Sequence, residues 1–166
     1  MLSRRPALFA AGILLAAGSA IAASPATTTF GVSATVAGNC LVSATDLDFG
    51  TYDGSAAKAS TSDLRVRCTK GLPYTVKLST GGGTFAQRLL SNGTDTLQYN
   101  LFTTAGLGSV WGDGSSSTAT VAGSGQGLSV NGEQLHVVHG SLPNSATNQD
   151  APVGNYADTI TVTVEY

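Results

Sequence analysis

The sequence predicts an all-β sandwich of about seven short strands, and three observations carry that prediction. Segment after segment alternates apolar and polar residues, and no stretch past Ala23 sustains a helical 3.6-residue pattern. Glycine numbers 21 in 166 residues, well above its usual share of ~7%. Thr, Ser and Val are abundant as well, a composition that favours strands and tight turns over helices. With 42% hydrophobic and 11% charged residues, the chain is globular rather than disordered, and its length suits one domain.

Residues 1–22 read as an export signal. Arg4 and Arg5 make a positive start. The apolar run from Ala7 to Ala17 is shorter than the ~20 residues of a membrane span. Ala20-Ile21-Ala22 is a small-x-small cleavage motif, with Ile21-Ala22-Ala23 as the alternative. The mature chain is therefore expected to start at Ala23 or Ser24, without a membrane span, and no cysteine follows the cut to carry a lipid. Losing Arg4 and Arg5 takes the basic side chains from 8 to 8 − 2 = 6 against 10 acidic ones, so the net charge moves from −2 to −4. A mildly acidic, charge-poor surface argues against nucleic acid as a partner.

Residues 23–38 form an N-terminal extension, and within it Thr27–Val36 is the first predicted strand. Phe30, Val32, Ala34 and Val36 fall on one face; Thr29, Gly31, Ser33 and Thr35 fall on the other. Burying Phe30, Val32 and Val36 is worth ~1.5–3 kcal/mol each, whereas fixing the backbone costs ~1–2 kcal/mol per residue. Such a strand needs a ready-made groove. The link Ala37-Gly38-Asn39 spans only about 10 Å when extended, so distant edges of its own sandwich are out of reach. Donation to a neighbouring copy is the expectation.

The folded domain is expected over residues 39–166. After Cys40, Leu47, Phe49 and Thr51 alternate against Asp48, Gly50 and Tyr52; Asp53–Thr61 is small and polar and reads as a loop. Leu64, Val66 and Cys68 point inward between Arg65 and Arg67. Tyr74, Val76 and Leu78 share the face of the next strand, which ends at Gly81-Gly82-Gly83. Leu89-Leu90 precedes the turn dipeptide Asn92-Gly93. Leu97–Thr103 alternates again, Ala105–Gly127 reads as a long loop around Trp111, and Leu135–Leu142 is a further strand. Pro143–Gly154 is a polar loop. Tyr156–Tyr166 reads as the longest and cleanest strand, with Ile160, Val162, Val164 and Tyr166 on one face. A long apolar edge strand of this kind invites pairing with another chain.

Two cysteines, Cys40 and Cys68, lie in the exported part. An oxidising compartment makes a disulfide between them the expectation, and a thiol metal site is disfavoured because no histidine lies near.

The runs Cys40–Tyr52, Leu64–Thr69, Tyr74–Ser79, Leu97–Thr103, Val110–Gly114 and Gly154–Tyr166, in that order, resemble the spore coat protein U domain family. The resemblance implies an incomplete immunoglobulin-like β-sandwich, lacking its last strand and completed by a donated one. It implies a secreted structural subunit of an archaic chaperone–usher pilus or coat, supporting adhesion or biofilm formation. A periplasmic chaperone would lend a strand, and an outer-membrane usher would exchange it for the extension of the next subunit. Phe30, Val32, Ala34 and Val36 would be the donor residues; Ile160, Val162, Val164 and Tyr166 would edge the acceptor groove, with the Tyr166 carboxylate an anchor for a basic chaperone residue. The family's paired cysteines match Cys40 and Cys68. The protein would pass through the periplasm to the cell surface, as a shaft or minor subunit.

Other constellations carry less. His136 and His139 sit three apart on a predicted strand and face opposite ways. No Gly-x-Ser-x-Gly elbow accompanies them, so no hydrolase triad and no enzyme is expected. Asp46 and Asp48 share a strand face, which reads as a solvated face rather than a glycosidase pair. Asp113 lacks the run of acidic neighbours that a calcium site needs, and the Gly81–Gly83 run lacks the following Lys-Ser/Thr of a phosphate cradle. Neither a cofactor nor a metal is expected. Asn92-Gly93-Thr94 matches a glycosylation sequon, yet the turn reading wins. Trp111 is expected to cap the core under its loop. The alternative is a secreted carbohydrate-binding or adhesive module that uses Trp111 as a platform.

Overall fold

The computed structural model describes residues 24–166. The export signal expected at residues 1–22 lies outside the described residues. The chain divides into two compact units, Met1–Thr35 and Val36–Tyr166. In the first, residues 24–35 carry neither helix nor strand, and Phe30 and Val32 are each 85% exposed. The predicted strand at Thr27–Val36 is therefore absent as a hydrogen-bonded element. Its alternation supplies a face, but a strand exists only where a partner receives its N–H and C=O groups.

The second unit holds eight strands rather than seven: β1 (Cys40–Ala44), β2 (Lys58–Cys68), β3 (Pro73–Leu78), β4 (Arg88–Ser91), β5 (Thr96–Phe102), β6 (Val121–Ser124), β7 (Gln134–Leu142) and β8 (Val162–Glu165). A one-turn helix, α1 (Ala146–Gln149), is capped by the Ser145 hydroxyl, which accepts from the Asn148 N–H. All strand pairs are antiparallel. One sheet has the order β1-β2-β7-β5-β4, the other β6-β3-β8.

Strict alternation is what builds the core. Leu64, Val66 and Cys68 of β2, and Val76 and Leu78 of β3, are all no more than 2% exposed. Leu97, Tyr99 and Leu101 of β5, with Val138 and Leu142 of β7, complete the same apolar layer.

Several elements depart from the sequence reading. The stretch expected to be a loop at Asp53–Thr61 joins β2 from Lys58 onward, because Lys58–Thr61 pair with Leu142–His139 of β7. Small polar residues carry no strand signal of their own, and a neighbouring strand overrides that. Leu47–Tyr52 is not a strand. Leu47 and Phe49 turn inward, but Gly50 adopts φ +67° and resets the phase, so Tyr52 rather than Thr51 packs on the core. Asp46 and Asp48 accordingly share no strand face. The Ala105–Gly127 loop contains β6, and Phe102↔Val110 and Trp111↔Ala119 bridges pin its first half. The last strand is shorter than expected: only Val162–Glu165 is laddered to β3, and β2, with 11 residues, is the longest. Ile160, Val162 and Val164 keep the predicted inward alternation, which Tyr156 and Asp158 extend toward the N-terminal side, whereas Tyr166 is 61% exposed.

Candidate functional site

One flank of the sandwich is closed by buried polar anchors. Trp111 is 1% exposed, and its indole N–H donates to the Val76 carbonyl at 3.1 Å. Arg88, fully buried on β4, donates from Nε and Nη2 to the Ser79 carbonyl at 3.1 and 2.8 Å. It also donates to the Trp111 carbonyl at 2.7 Å and to Asn100 Oδ1 at 2.6 Å. Burial lowers the guanidinium below its usual range, and the nearby Asp158 charge opposes that shift. Trp111 is thus a core cap with no exposed face to present to a ligand.

Elsewhere the sandwich is open. A cleft runs between the chain at Ala44–Phe49 and the chain at Asp158–Val162, over a floor that includes Leu64, Leu78, Leu101 and Val138, with a volume of about 300 Å³. It continues past Leu47, Phe49 and Leu90 into a second, more polar part of about 760 Å³, between Asp48–Gly54 and Asn148–Tyr156. Gly140 of β7 lets Leu47 and Phe49 seat against the sheet; a Cβ there would lie 2.8 Å from Leu47 Cδ1.

Two sheet edges flank the apolar part. β1 is the outer strand of one sheet and β8 the outer strand of the other. Thr69 N–H donates to the Asn39 carbonyl at 2.9 Å, and Thr45 N–H to the Asp63 carbonyl at 3.0 Å. In an antiparallel pair only alternate residues bond to the partner strand, so the main-chain groups of Cys40, Val42 and Ala44 turn to the open side. On the other wall Ser79 N–H donates to the Thr161 carbonyl at 3.0 Å. By the same alternation Val162 and Val164 turn their main-chain groups away from β3. The cleft therefore combines an apolar floor with two rows of available backbone donors and acceptors.

The cleft also has a fixed polar point. Asp158 accepts from the Tyr99 hydroxyl, from Gly82 N–H at 2.9 Å and from Thr159 N–H at 2.7 Å. Burial, then the hydrogen bond to Asp158, raises the Tyr99 phenol far above its ordinary value, so it stays a donor. The sequence reading assigned Asp158 no role, although the period that turned Ile160 inward also turns Asp158 inward.

The structure places the other predicted residues as follows. Cys40 and Cys68 form a disulfide with S–S 2.01 Å, tying β1 to β2. Ile160 and Val162 line the cleft, and Val164 packs on the core beside it. Phe30, Val32 and Val36 are exposed at 85%, 85% and 83%. His136 and His139 point to opposite faces; His136 Nε2 meets the Tyr74 hydroxyl at 2.8 Å. Asp113 caps its own turn by accepting from Ser115 N–H at 2.8 Å. Among the described residues no three metal-ligating side chains gather, and no helix is long and apolar enough to cross a membrane.

No curated protein matches the chain. Among solved structures it is similar to a chain in the crystal structure of the CsuC–CsuE chaperone–tip adhesion subunit pre-assembly complex, from archaic chaperone-usher Csu pili of Acinetobacter baumannii. The two share 27% identity at a TM-score of 0.56, over 80% of this chain and 40% of the other. Residues 26–163 match the Spore Coat Protein U domain, and the chain belongs to that family.

Proposed function

We propose that this protein is a structural subunit of a cell-surface pilus of the chaperone–usher type, joined to its neighbours by donor-strand exchange and without an enzymatic role. The observation that carries the reading is the cleft: an apolar floor open along two facing sheet edges. A sandwich in that state lacks one strand, and an extended segment laid between β1 and β8 would satisfy both edges while covering Ile160 and Val162. The segment that suits it is Thr27–Val36 of another copy. Phe30, Val32, Ala34 and Val36 would enter the floor, and Thr29, Gly31, Ser33 and Thr35 would face water. Export through a cleaved signal, periplasmic transit with a chaperone, handover at an outer-membrane usher and a role of the finished fibre in adhesion or biofilm formation complete the reading. The family and the pilus-complex neighbour support it.

The test is expression with a cognate chaperone and usher, comparing the intact chain with Val32→Asp and with a deletion of residues 23–36. A buried, unpaired carboxylate costs several kcal/mol. Both changes are expected to abolish fibres in electron micrographs while leaving a folded, chaperone-bound subunit. Fibres that persist in the deletion would overturn the proposal.

A further inference from the structure

The link between the extension and the domain is not a free tether. Asn39 N–H donates to the Thr69 hydroxyl at 3.0 Å, and that hydroxyl donates to the Ala37 carbonyl at 3.3 Å. Thr69 N–H returns a bond to the Asn39 carbonyl at 2.9 Å. Between them Gly38 sits against Leu72; a Cβ there would lie 3.1 Å from Leu72 Cδ1. Ala37-Gly38-Asn39 is thus held by the domain, and the chain leaves it at Val36, which is 83% exposed.

The surface beside that take-off point is apolar. Gly71 N–H donates to the Gly125 carbonyl at 2.8 Å, and Gly127 N–H to the Cys68 carbonyl at 2.9 Å, so residues 125–127 lie along the turn that holds Thr69. The following loop presents Leu128 and Val130, 38% and 72% exposed. Residues 125–132 include no charged side chain. A second apolar tip lies at the other end of the sandwich, after α1, which follows the far end of β7. There Val153 is fully exposed, and with Pro152 it lines the polar mouth of the cleft. Residues 151–156 are likewise uncharged.

Resting on the donor-strand reading above, we infer that these two patches form a second contact between successive subunits: Leu128 and Val130 of the donating copy seat on Pro152 and Val153 of the receiving copy. The tether dictates the encounter. Val36 lies in the neighbour's cleft and Ala37 is fixed to its own domain, so only ~3.5 Å of chain separates the two bodies. The take-off rim must therefore face the neighbour. The neighbour's own Ala37–Asn39 root continues β1, one wall of the cleft, and occupies the Thr69 end. The donated strand consequently emerges at the Val153 end. Two uncharged apolar patches brought together there desolvate each other. The joint is then held at two points, the strand and the rim, and does not swing as a single hinge.

The test uses fibres of the full chain, assembled with its chaperone and usher, that carry Val130→Cys together with Val153→Cys. A short bismaleimide should convert them into a ladder of covalent multimers on denaturing gels, and neither single variant should ladder. A Gly-Gly-Ser insertion between Val36 and Ala37 adds about 10 Å of slack and should weaken the ladder severalfold. L128S/V130S changes only exposed side chains. It should leave the urea midpoint of the subunit unchanged and lower the fibre persistence length in electron micrographs about twofold, or prevent fibres from a folded subunit. Fibres of the cysteine pair that give no ladder, or serine fibres as stiff as the parent, would overturn the inference and leave the donor reading standing. Fibres that persist without residues 23–36 would remove the donor reading itself, and this inference with it.

Discussion

Around Trp111 and Arg88 the core is sealed to 1% exposure or less, whereas along Ile160 and Val162 the same core is only partly covered. Both flanks are built from alternating strands of similar composition, so hydrophobicity does not distinguish them. What differs is the partner available to the edge. On the closed flank, distant main-chain carbonyls at Ser79 and Trp111 converge on one guanidinium, and the loop holding Trp111 is bridged to β5. On the open flank β1 and β8 each end a sheet, and no strand of the same unit lies between them. The completeness of a sandwich is a property of its edges rather than of its apolar content.

The sharpest way to break that comparison is to truncate one side chain on each flank. Trp111→Ala should destabilise the folded unit by about 3–5 kcal/mol in a urea titration, through the lost ring and the Val76 carbonyl left without its donor. Ile160→Ala on the open flank should cost only about 1–2 kcal/mol in the isolated chain, because part of its surface is already wet. The Ile160 penalty should grow once a peptide of residues 24–36 fills the cleft. Equal penalties in the isolated chain would mean that the cleft is closed in solution.

The open flank depends on its staple. Cys40–Cys68 joins the edge strand β1 to β2 across 28 positions, which the chain-entropy treatment values at about 3.5 kcal/mol. Replacing both cysteines by Ala should lower the unfolding free energy by about that amount. Hydrogen exchange should show the loss of protection concentrated in β1, ahead of β4 and β5. Uniform loss across both sheets would argue that β1 is no more independent than the closed flank.

Acid offers a gentler probe. His136 lies between the sheets at the Tyr74 hydroxyl, and burial lowers its pKa. A lowered folded value means that the unfolded chain binds the proton more readily. The stabilising contribution is complete above the unfolded value of about 6.5 and is lost as pH falls through that value toward the lower folded one. His136→Gln should flatten the stability profile over that window, measured by urea midpoints, while leaving the cleft residues untouched. An unchanged slope would assign acid sensitivity elsewhere.

The strands with strict alternation, at Leu64–Cys68, Tyr74–Leu78 and Leu97–Leu101, were legible in the sequence because each buries one face against the other sheet. Lys58–Thr61 was not, since its ladder depends on β7 and its residues are small and polar. Of the cleft, the Ile160–Val162 wall was visible by period two, and so was Asp158 in principle. The opposite wall was misread as a strand because Gly50 shifts the phase by its left-handed backbone, a change that no alternation pattern records. Arg88 left no local signal at all: its partners are main-chain oxygens contributed by remote segments.

The smallest expected effect concerns what holds β8 to its sheet. Lys77 Nζ lies 2.7 Å from Glu165 Oε1 across the β3–β8 pair, but the two side chains are 27% and 57% exposed. An ion pair that wet contributes at most about 1 kcal/mol and is screened by salt. Beneath it, Val76 faces Val164 and Leu78 faces Val162 in register, with Val76 and Leu78 no more than 2% exposed. Apolar cross-strand pairing, not charge, should therefore anchor the edge. Lys77→Met is expected to shift the urea midpoint by less than about 1 kcal/mol equivalent at low salt, and the shift should vanish at high salt. A larger loss, accompanied by exchange of the β8 amides, would mean that the edge strand is pinned by its surface charge.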